Sequence, residues 1–367
     1  MPLFMDFHKI ENITLDAVRM AHSADEAIQD RYGVKYLQFW VNEAAGSVFC
    51  LVEGPDAATC ELVHQLAHGN LPCALTEVET GFYEKLMGKH HKLDNGYVQH
   101  ADGSDDLGYR NILIASVYGI IKASGSADFS QLKRPHWARK LIFENVTAFK
   151  GRELKWETDD SLIGVFDDTT QAVKCALKIQ QELIHFEQKR PEIIFKIGIS
   201  AAQPVTEKGD FFNEAIKLAH RLSMTVQDNQ VLISSLVRNL CRDEQLLANT
   251  SLLKSLNIKE EEFVSNLIRL AETKLSDQQF DLNWLSNEVC VSRPQLYRKV
   301  TSLTGRSPHD FMHDLRMGKA LALLKQERAN IAEIALETGF SSPSYFTKCF
   351  TEKFGFTPSM FTKASLT

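Results

Sequence analysis

The 367-residue sequence lacks the features that mark membrane-spanning, exported and disulfide-stapled proteins. It has no apolar run of about 18 residues, the length that a membrane-spanning helix needs. Its start, Met-Pro-Leu-Phe-Met-Asp, has neither the basic nor the long apolar stretch of a signal peptide. The seven cysteines are scattered and odd in number, with no Cys-x-x-Cys pair, so a disulfide framework is not expected. These absences predict a reduced, cytoplasmic bacterial protein without membrane association.

Two segments near the carboxyl end share the pattern of a helix-turn-helix unit. Each has a short helix with periodic apolar residues, a tight turn, a serine that can cap, and a second helix with a polar face. Such a unit lays its second helix in the major groove of DNA. Two units about fifty residues apart are a more specific signal than one. The two units are Asp281–Lys299 and Asn330–Lys348.

Capping residues support both units. Asp281 can accept hydrogen bonds from the first free N–H groups of its helix, and Asn330 with Glu333 resembles a capping box. Gly339 suits the left-handed residue of the second turn. The serines that stand where the second helices must begin are Ser292 and Ser342.

The segment between the units is predicted to be a single helix. It begins at Ser307-Pro308 and reaches Glu327, which gives roughly 30 Å at about 1.5 Å per residue. One turn of DNA is about 34 Å long. One chain is therefore expected to place two helices in successive major grooves on one face of DNA.

The carboxyl region, residues 261–367, resembles the DNA-binding domain of the AraC/XylS family of transcription regulators. The resemblance covers about 100 residues and includes the core Gly-Phe-Ser-Ser-x-Ser-Tyr-Phe at 339–346 and the ending Phe-Gly-x-Thr-Pro at 354–358. It implies an all-α double helix-turn-helix domain that binds double-stranded promoter DNA, with RNA polymerase as a partner. Carried over by position, the residues presented to bases are Pro294, Tyr297 and Arg298 in the first unit, and Pro343, Ser344, Thr347 and Lys348 in the second.

These candidate readers differ in what they can recognise. Arg298 is expected to contribute most, because a guanidinium group can pair bidentately with a guanine edge. Pro294 can make only apolar contact. For Tyr297 and Thr347 the alternative is a phosphate or solvent contact. Three apolar residues of the same helices are expected in the core: Leu296, Phe346 and Phe350.

The charge distribution agrees with a DNA-binding carboxyl region. The whole chain has a net charge of −6, whereas residues 280–367 hold 11 Lys and Arg against 8 Asp and Glu, a net charge of +3. The basic surplus thus lies in the segment expected to meet phosphate. Because this surplus is modest, a homodimer or a second site is expected to add affinity.

Residues 1–80 show the order of elements of a ferredoxin-like α+β fold. The predicted order is β-α-β-β-α-β. Its strands are Met5–Ile10, Val34–Val41, Ser47–Glu53 and Ala74–Glu79, and its helices are Thr14–Tyr32 and Asp56–Gly69.

Histidines are concentrated in this first region. His64 and His68 are four residues apart on one helix face, a spacing at which two imidazoles can share one metal ion. His22 and Asp25 are three residues apart. The two further candidate ligands are His8 and Cys50.

The pattern over nearly all of residues 1–80 resembles a small family of nickel-binding, ferredoxin-like domains. It includes Ala21-His-x-x-Asp25, Trp40, Cys50-Leu-x-Glu-x-Pro-Asp56 and His64-x-x-x-His68-Gly69. The resemblance implies Ni²⁺ or another divalent transition metal as cofactor, since imidazole suits nickel, zinc and copper alike. The alternative is a sensor or packing module whose histidines are only polar lining.

Residues 109–245 are predicted to form an α/β domain. The predicted elements are a strand at Arg110–Ile121, a hairpin at Lys155–Phe166, a helix at Thr169–Gln188, a strand at Ile193–Ala201, a helix at Ala215–Met224 and a strand at Gln230–Ser234. Segments such as Asp160–Phe166, Phe195–Ser200 and Leu218–Leu222 are similar to class III nucleotide cyclases, whose fold is ferredoxin-related.

The cyclase resemblance is incomplete at the catalytic positions. The chemistry needs two carboxylates that hold two metal ions on the triphosphate, plus an asparagine and an arginine for the ribose and the transition state. Asp160 falls on the second carboxylate and Arg221 on the arginine. Ser116, however, falls on the first carboxylate and Lys217 on the asparagine. We therefore expect a degenerate cyclase-like domain that is not an enzyme, in which Asp160 and Arg221 are remnants.

The whole chain is predicted to have three domains separated by linkers at residues 81–108 and 246–260. It is expected to be an AraC-type regulator whose DNA binding is modulated at the amino-terminal domains by a metal, a small molecule or a nucleotide. One alternative is an active nucleotide cyclase fused to a DNA-binding domain. Another is a middle domain that serves only for dimerisation.

Overall fold

The computed structural model describes residues 1–88, 92–119, 136–154, 161–187, 193–206, 208–226, 230–248, 251–278, 280–326, 330–354 and 357–365. The strands among them are β1 Leu3–Lys9, β2 Lys35–Asn42, β3 Ser47–Glu53, β4 Ala74–Val78, β5 Lys92–Asp94, β6 Tyr97–Gln99, β7 Arg110–Gly119, β8 Arg152–Leu154, β9 Ser161–Phe166, β10 Ile193–Ala202, β11 Val231–Ile233 and β12 Leu253–Ser255. The helices are α1 Leu15–Ile28, α2 Ala57–Ala67, α3 Thr80–Met87, α4 His136–Ala148, α5 Thr169–Glu187, α6 Asn213–Thr225, α7 Ser235–Leu240, α8 Glu244–Leu247, α9 Ile258–Thr273, α10 Leu282–Glu288, α11 Arg293–Thr304, α12 Pro308–Gln326, α13 Ile331–Glu337, α14 Pro343–Phe354 and α15 Pro358–Ser365.

The first sheet has the order β4-β1-β3-β2-β6-β5. Its first four strands with α1 and α2 confirm the predicted β-α-β-β-α-β fold. Side chains alternate between the two faces of a strand. Along β1, Met5 and Phe7 belong to a core shared with the second sheet, whereas Phe4 packs with residues of α2 on the opposite face. Asp6 and His8 therefore point towards the helix layer.

The segment predicted as the first linker is instead part of this sheet. Residues 80–87 form α3 and residues 92–99 form the hairpin β5–β6, in which β6 pairs in parallel with β2. Asn95 and Gly96 connect the two strands with φ angles of +49° and +83°. Positive φ at both residues of a two-residue loop is the requirement of a type I′ hairpin turn, which Asn-Gly favours.

The second sheet has the order β12-β11-β10-β7-β9-β8. Helices α4 and α5 cover one face of it, and α6 with the first sheet covers the other. The second predicted linker also differs from the structure, because β12 pairs in parallel with β11 and Asn257 caps α9. Of the predicted hairpin at Lys155–Phe166, residues 155–160 lie outside the described residues.

The carboxyl region is all-α, as predicted, and contains two buried cores. The first contains residues of α9, α10, α11 and the first half of α12. The second contains residues of the second half of α12 with α13 and α14. Helix α12 thus joins the two helix-turn-helix units. Within the described parts of the chain, no helix combines the length and apolarity needed to cross a membrane.

Candidate DNA-reading helices and a histidine–aspartate cluster

Helix α11 presents the candidate readers of the first unit to solvent. Ser292 caps the helix, since its Oγ accepts from the Gln295 backbone N–H and the Gln295 side chain accepts from the Ser292 N–H. The side chains of Pro294 and Arg298 are exposed, and Tyr297 is 53% exposed. Beneath them, the predicted core residue Leu296 is buried.

Helix α14 has the same arrangement in the second unit. Ser342 Oγ accepts a hydrogen bond of 3.2 Å from the Tyr345 N–H, which caps the helix. Pro343, Ser344 and Lys348 are exposed, and Thr347 is half-buried. The two residues predicted for the core, Phe346 and Phe350, are fully buried. We refer to α11 and α14 as the reading helices.

Helix α12 sets the separation of the reading helices. Its 19 residues correspond to about 28 Å at about 1.5 Å per residue. Arg316 on α12 donates to the carbonyl oxygens of Leu275 and Asp277, at 3.2 and 2.6 Å, and so ties α12 to the segment that follows α9. The two units are connected by α12, which packs in the core of each.

The second candidate site lies between β1 and the helices α1 and α2. His64 stands at its centre, with Nε2 at 2.8 Å from Asp6 Oδ2 and Nδ1 at 3.2 Å from Asp25 Oδ2. His68 Nε2 lies 3.2 Å from the same Asp25 oxygen. His8 Nε2 lies 3.5 Å from Asp6 Oδ2. These five residues, the histidine–aspartate cluster, connect one strand with two helices.

Charges stabilise this cluster although it is buried. Burial raises the pKa of Asp6, but the nearby His8 and His64 outweigh that effect and hold the pKa below its usual range. Burial also raises the pKa of Asp25, and hydrogen bonds from His64 and His68 lower it further than burial raises it. Burial lowers the pKa of His64, but the hydrogen bonds to Asp25 and Asp6 raise it to about 10. Charge-assisted hydrogen bonds of this kind are the stronger ones in proteins.

Two overlapping sets of donor atoms in the cluster suit a metal ion. One set is Asp6, His8 and His64, and the other is Asp25, His64 and His68; within each set the donor atoms lie within 4.8 Å of one another. Asp25 Oδ1 is buried and has no hydrogen-bond partner among the described residues. Imidazole and carboxylate together suit nickel, zinc and copper. The residues present therefore fit a divalent transition metal.

Two of the predicted ligands lie apart from these donor sets. His22 is buried against the ring of Phe39, at 4.8 Å between centroids, and its ring nitrogens have no hydrogen-bond partner among the described residues. Cys50 contributes its backbone N–H to Asp6, and burial raises the pKa of its thiol well above the usual value. Asp6 was not predicted, although the alternation Asp6-x-His8 places both side chains on one face of a strand.

Of the four cyclase-related positions, the structure describes three, and two of these have partners elsewhere. Ser116 is buried, and its Oγ lies 2.8 Å from Ser161 Oγ. Lys217 is exposed and pairs with Glu214 at 2.8 Å. Arg221 is half-buried on α6, and Asp160 lies outside the described residues.

Comparisons with known proteins match the two ends of the chain. Residues 4–78 match the family of the nickel responsive protein SCO4226-like, and residues 285–364 match a helix-turn-helix domain family. The HTH-type transcriptional regulator MtrA of Neisseria gonorrhoeae is 37% identical over 73 residues, which are 20% of this chain and 24% of that protein.

Two solved structures are similar to parts of the chain. SCO4226 from Streptomyces coelicolor A3(2) is 38% identical and covers 21% of this chain and 94% of its own, with a TM-score of 0.20. An adenylate/guanylate cyclase/hydrolase from Silicibacter pomeroyi is 28% identical and covers 36% of this chain and 78% of its own, with a TM-score of 0.29. The chain spans from 7% to 50% of the length of the curated relatives it matches. Residues 4–78 are thus similar to the SCO4226-like family of nickel responsive proteins, and residues 285–364 to the helix-turn-helix domains of transcription regulators.

Proposed function

We propose that this chain is a sequence-specific, DNA-binding transcription regulator of the AraC type, whose DNA binding is controlled by a divalent transition metal in its first domain. The observation that carries this proposal is the pair of capped reading helices. Each helix exposes polar and charged side chains on one face and packs its other face in a buried core. The ligand is promoter DNA, and a homodimer and RNA polymerase are the proposed partners.

The two reading helices offer matching contacts to DNA. Arg298 and Lys348 are each the sixth residue of their own helix, so they occupy equivalent positions in the two units. Arg298 can donate two parallel hydrogen bonds to a guanine, and Lys348 can contact a guanine edge or a phosphate. The separation set by α12 approximates one DNA turn of about 34 Å. Successive major grooves on one face of DNA therefore fit this geometry.

The metal would be held by one of the two donor sets in the histidine–aspartate cluster. A bound divalent ion supplies positive charge that joins carboxylate and imidazole ligands from separate elements. Asp6 and His8 bring β1 to this site, His64 and His68 bring α2, and Asp25 brings α1. A bound ion would therefore hold the helices of the first domain more tightly against its sheet.

The middle domain is proposed to be a scaffold without cyclase activity. At the position of the first metal-binding carboxylate, Ser116 offers a neutral hydroxyl that is already engaged with Ser161. A hydroxyl there cannot supply the negative charge that holds a metal ion on a triphosphate. A nucleotide or another small molecule remains a proposed effector of this domain.

Selection from a random DNA pool, followed by footprinting, tests the DNA-binding proposal. Arg298→Ala should cost about 1–3 kcal/mol of binding free energy and relax specificity at one base pair. Lys348→Ala should act in the same way on the second half of the footprint. Lys140→Ala, at an exposed lysine of α4, is the matched control and should bind like the wild type. Wild-type footprints from both reading-helix variants would show that α11 and α14 do not read DNA.

Calorimetric titration with NiCl₂ tests the metal site. His64 belongs to both donor sets, so His64→Ala should lower nickel affinity by more than the 10–100-fold typical of losing an outer-shell partner. His22→Ala is the matched control, because His22 is equally buried but lies outside both sets. An equal loss in the two variants would mean that the effect is structural or that His22 is a ligand. Parallel titrations with ZnCl₂ and CuCl₂ identify the preferred ion.

A further inference from the structure

The two ends of helix α6 lie in two different buried cores. Its first half contributes Ala215, Ile216 and Ala219 to the core shared by the first and second sheets. Its last turn contributes Leu222 to the core of the first helix-turn-helix unit, and Val226 follows directly after the helix in that same core. With 13 residues, α6 is about 20 Å long at about 1.5 Å per residue. It therefore connects the core shared by the two sheets with the core of the first helix-turn-helix unit.

The beginning of α6 is held against the first domain by aromatic rings. Phe211 stacks on Tyr83 of α3 with ring centroids 6.4 Å apart, and it meets Phe82 at 6.1 Å. The next residue, Phe212, is buried with a φ of +57°, a left-handed conformation that is strained for a bulky side chain. Such strain persists only where the surroundings determine the conformation. The start of α6 is thus fixed by its packing rather than by its own preference.

Helix α6 cannot tilt independently of the second sheet. It lies so close to β10 that a Cβ on Gly198 would stand 2.3 Å from the Ala219 carbonyl oxygen. Ser200 Oγ also donates to the Ala215 carbonyl oxygen at 2.6 Å. A close-packed element of this kind moves as a body instead of absorbing a displacement within itself.

The far end of α6 meets the helix that supports the first reading helix. Leu222 and Val226 belong to one buried cluster with Val264 and Leu267 of α9 and with Leu296 of α11. Leu296 is the buried residue directly beneath the exposed readers of α11. A displacement of the last turn of α6 would therefore reach the inner face of the reading helix.

The histidine–aspartate cluster lies on one face of β1, and the core that contains the first half of α6 lies on the other face. Asp6 and His8 point to the helix side of β1, and the alternate residues Met5 and Phe7 belong to the same core as the first half of α6. We propose that α6 acts as a rigid element that transmits occupation of the histidine–aspartate cluster to reading helix α11 and changes the placement of that helix. This inference rests on the proposed metal-dependent regulation and assigns its route through the molecule.

The test compares two buried leucines of the middle domain. Leu222→Ala truncates the buried leucine that α6 contributes to the reading-helix core, whereas Leu183→Ala makes an equal deletion on α5, in a core that contains no residue of α6. In the wild type, NiCl₂ should change the affinity for the selected DNA by about 5–150-fold. Leu183→Ala should keep this factor. Leu222→Ala should reduce it below about twofold while nickel affinity stays unchanged.

A milder variant keeps the test valid if Leu222→Ala folds poorly. Phe211→Leu retains an apolar side chain at the start of α6 but removes the ring stack on Tyr83, and it should also weaken the nickel effect on DNA affinity. A nickel effect that persists in both Leu222→Ala and Phe211→Leu at the wild-type size would overturn the route through α6.

A readout without DNA separates this inference from the proposed function. NiCl₂ should change the amide hydrogen exchange of residues 296–304 of α11 in the wild type and in Leu183→Ala, but not in Leu222→Ala. Nickel-bound wild-type protein in which exchange of α11 is unaffected would overturn the inference even if DNA binding is found. If α11 shows the exchange response but the protein binds no DNA, the route through α6 would be supported and the DNA-binding proposal refuted.

Discussion

Arg110 connects the first sheet to the second from a fully buried position. Its guanidinium group donates to both carboxylate oxygens of Asp106 at 3.0 and 2.8 Å, and its Nε lies 3.0 Å from Asp167 Oδ1. It also donates to the Met87 carbonyl oxygen at the end of α3. Trp40 of the first sheet donates its indole N–H to Asp106. A buried arginine is tolerated here because its donors meet carboxylates and a carbonyl.

The Asp106–Arg110 pair predicts a loss of stability in acid. Burial raises the pKa of Asp106, but the charge of Arg110 outweighs burial and holds that pKa below its usual range. The stabilisation is therefore present above about pH 4 and is lost as the pH falls below the ordinary aspartate pKa. Asp106→Asn should lower the free energy of unfolding at neutral pH by about 3–5 kcal/mol. It should also flatten the acid dependence in urea-unfolding curves measured at a series of pH values.

A second Asp–Arg pair provides the control for this prediction. Asp94 pairs with Arg19, and both side chains are substantially exposed. Exposed ion pairs contribute about 0–1 kcal/mol, so Asp94→Asn should change stability by less than about 1 kcal/mol. Equal losses for the two substitutions would show that burial of the Arg110 pair has no special energetic role.

The sequence identified most of the residues in the histidine–aspartate cluster, including His64 at its centre, but not Asp6. Spacing along α2 found His64 and His68, and the i, i+3 pair on α1 found Asp25. Asp6 was missed because its partner His64 is 58 residues away, a contact that only the strand order brings about. His22 was included on the same spacing argument as Asp25, yet its ring packs on Phe39 instead.

The turns of the two helix-turn-helix units have the same backbone conformation but different residues. Cys290 has a φ of +53° in the first turn, and Gly339 has a φ of +77° in the second. Each donates its N–H to a carbonyl three residues earlier, at 3.0 Å. A left-handed residue is costly for any side chain with a Cβ. The predicted role of Gly339 is confirmed, and Cys290 fills the same role although its residue type did not indicate it.

Two glycine substitutions in the carboxyl domain should have opposite effects. A Cβ on Gly339 would stand 2.2 Å from the Leu275 carbonyl oxygen, so Gly339→Ala should destabilise the domain by more than about 1 kcal/mol. Gly318 lies inside α12 and a Cβ there would meet nothing within 4 Å. Gly318→Ala should therefore stabilise the domain by about 0.5–1 kcal/mol. Thermal unfolding measures both, and a shift of the same sign in each would contradict the steric argument.

Apart from the 13-residue α4, the elements that the sequence did not indicate in the first two regions are short and depend on distant partners. Helix α3 has eight residues, too few to be stable alone. Arg152 donates to the carbonyl oxygens of Lys85 and Leu86 near its end, and Arg110 to that of Met87. Longer elements such as α1 and α5 were found because periodic apolar residues specify them locally. Composition alone assigned residues 81–108 to a linker, whereas tertiary contacts order much of that stretch.

The three regions of the chain share buried cores instead of forming separate domains. The first and second sheets share one core, and the core of the first helix-turn-helix unit includes residues of α6. Sequence resemblance located three regions but could not show these shared cores, because each one joins residues from segments far apart in the chain. Because the regions pack directly against one another, a change in one region can affect the next through these contacts.

The middle domain should make no cyclic nucleotide from Mg-ATP or Mg-GTP. The reason is the serine at position 116, which cannot replace a metal-binding carboxylate. Chromatography of the reaction mixture measures the product, with an active class III cyclase as the positive control. Cyclic nucleotide formed by the wild type and abolished in Asp160→Ala would contradict the scaffold proposal. A nucleotide-dependent rise in melting temperature without product would instead identify a nucleotide effector.

Metal binding and DNA binding should influence each other by one common factor. Thermodynamic linkage requires that, if nickel changes DNA affinity by about 5–150-fold, DNA changes nickel affinity by the same factor. The connected cores from the histidine–aspartate cluster to α11 supply the physical route for this coupling. NiCl₂ titrations of the wild type with the selected DNA, with a scrambled duplex of equal length and without DNA measure the factor directly. Equal nickel affinities in the three titrations would mean that the first domain does not regulate the reading helices. A shift produced only by the selected sequence would show that the metal site responds to the specific complex.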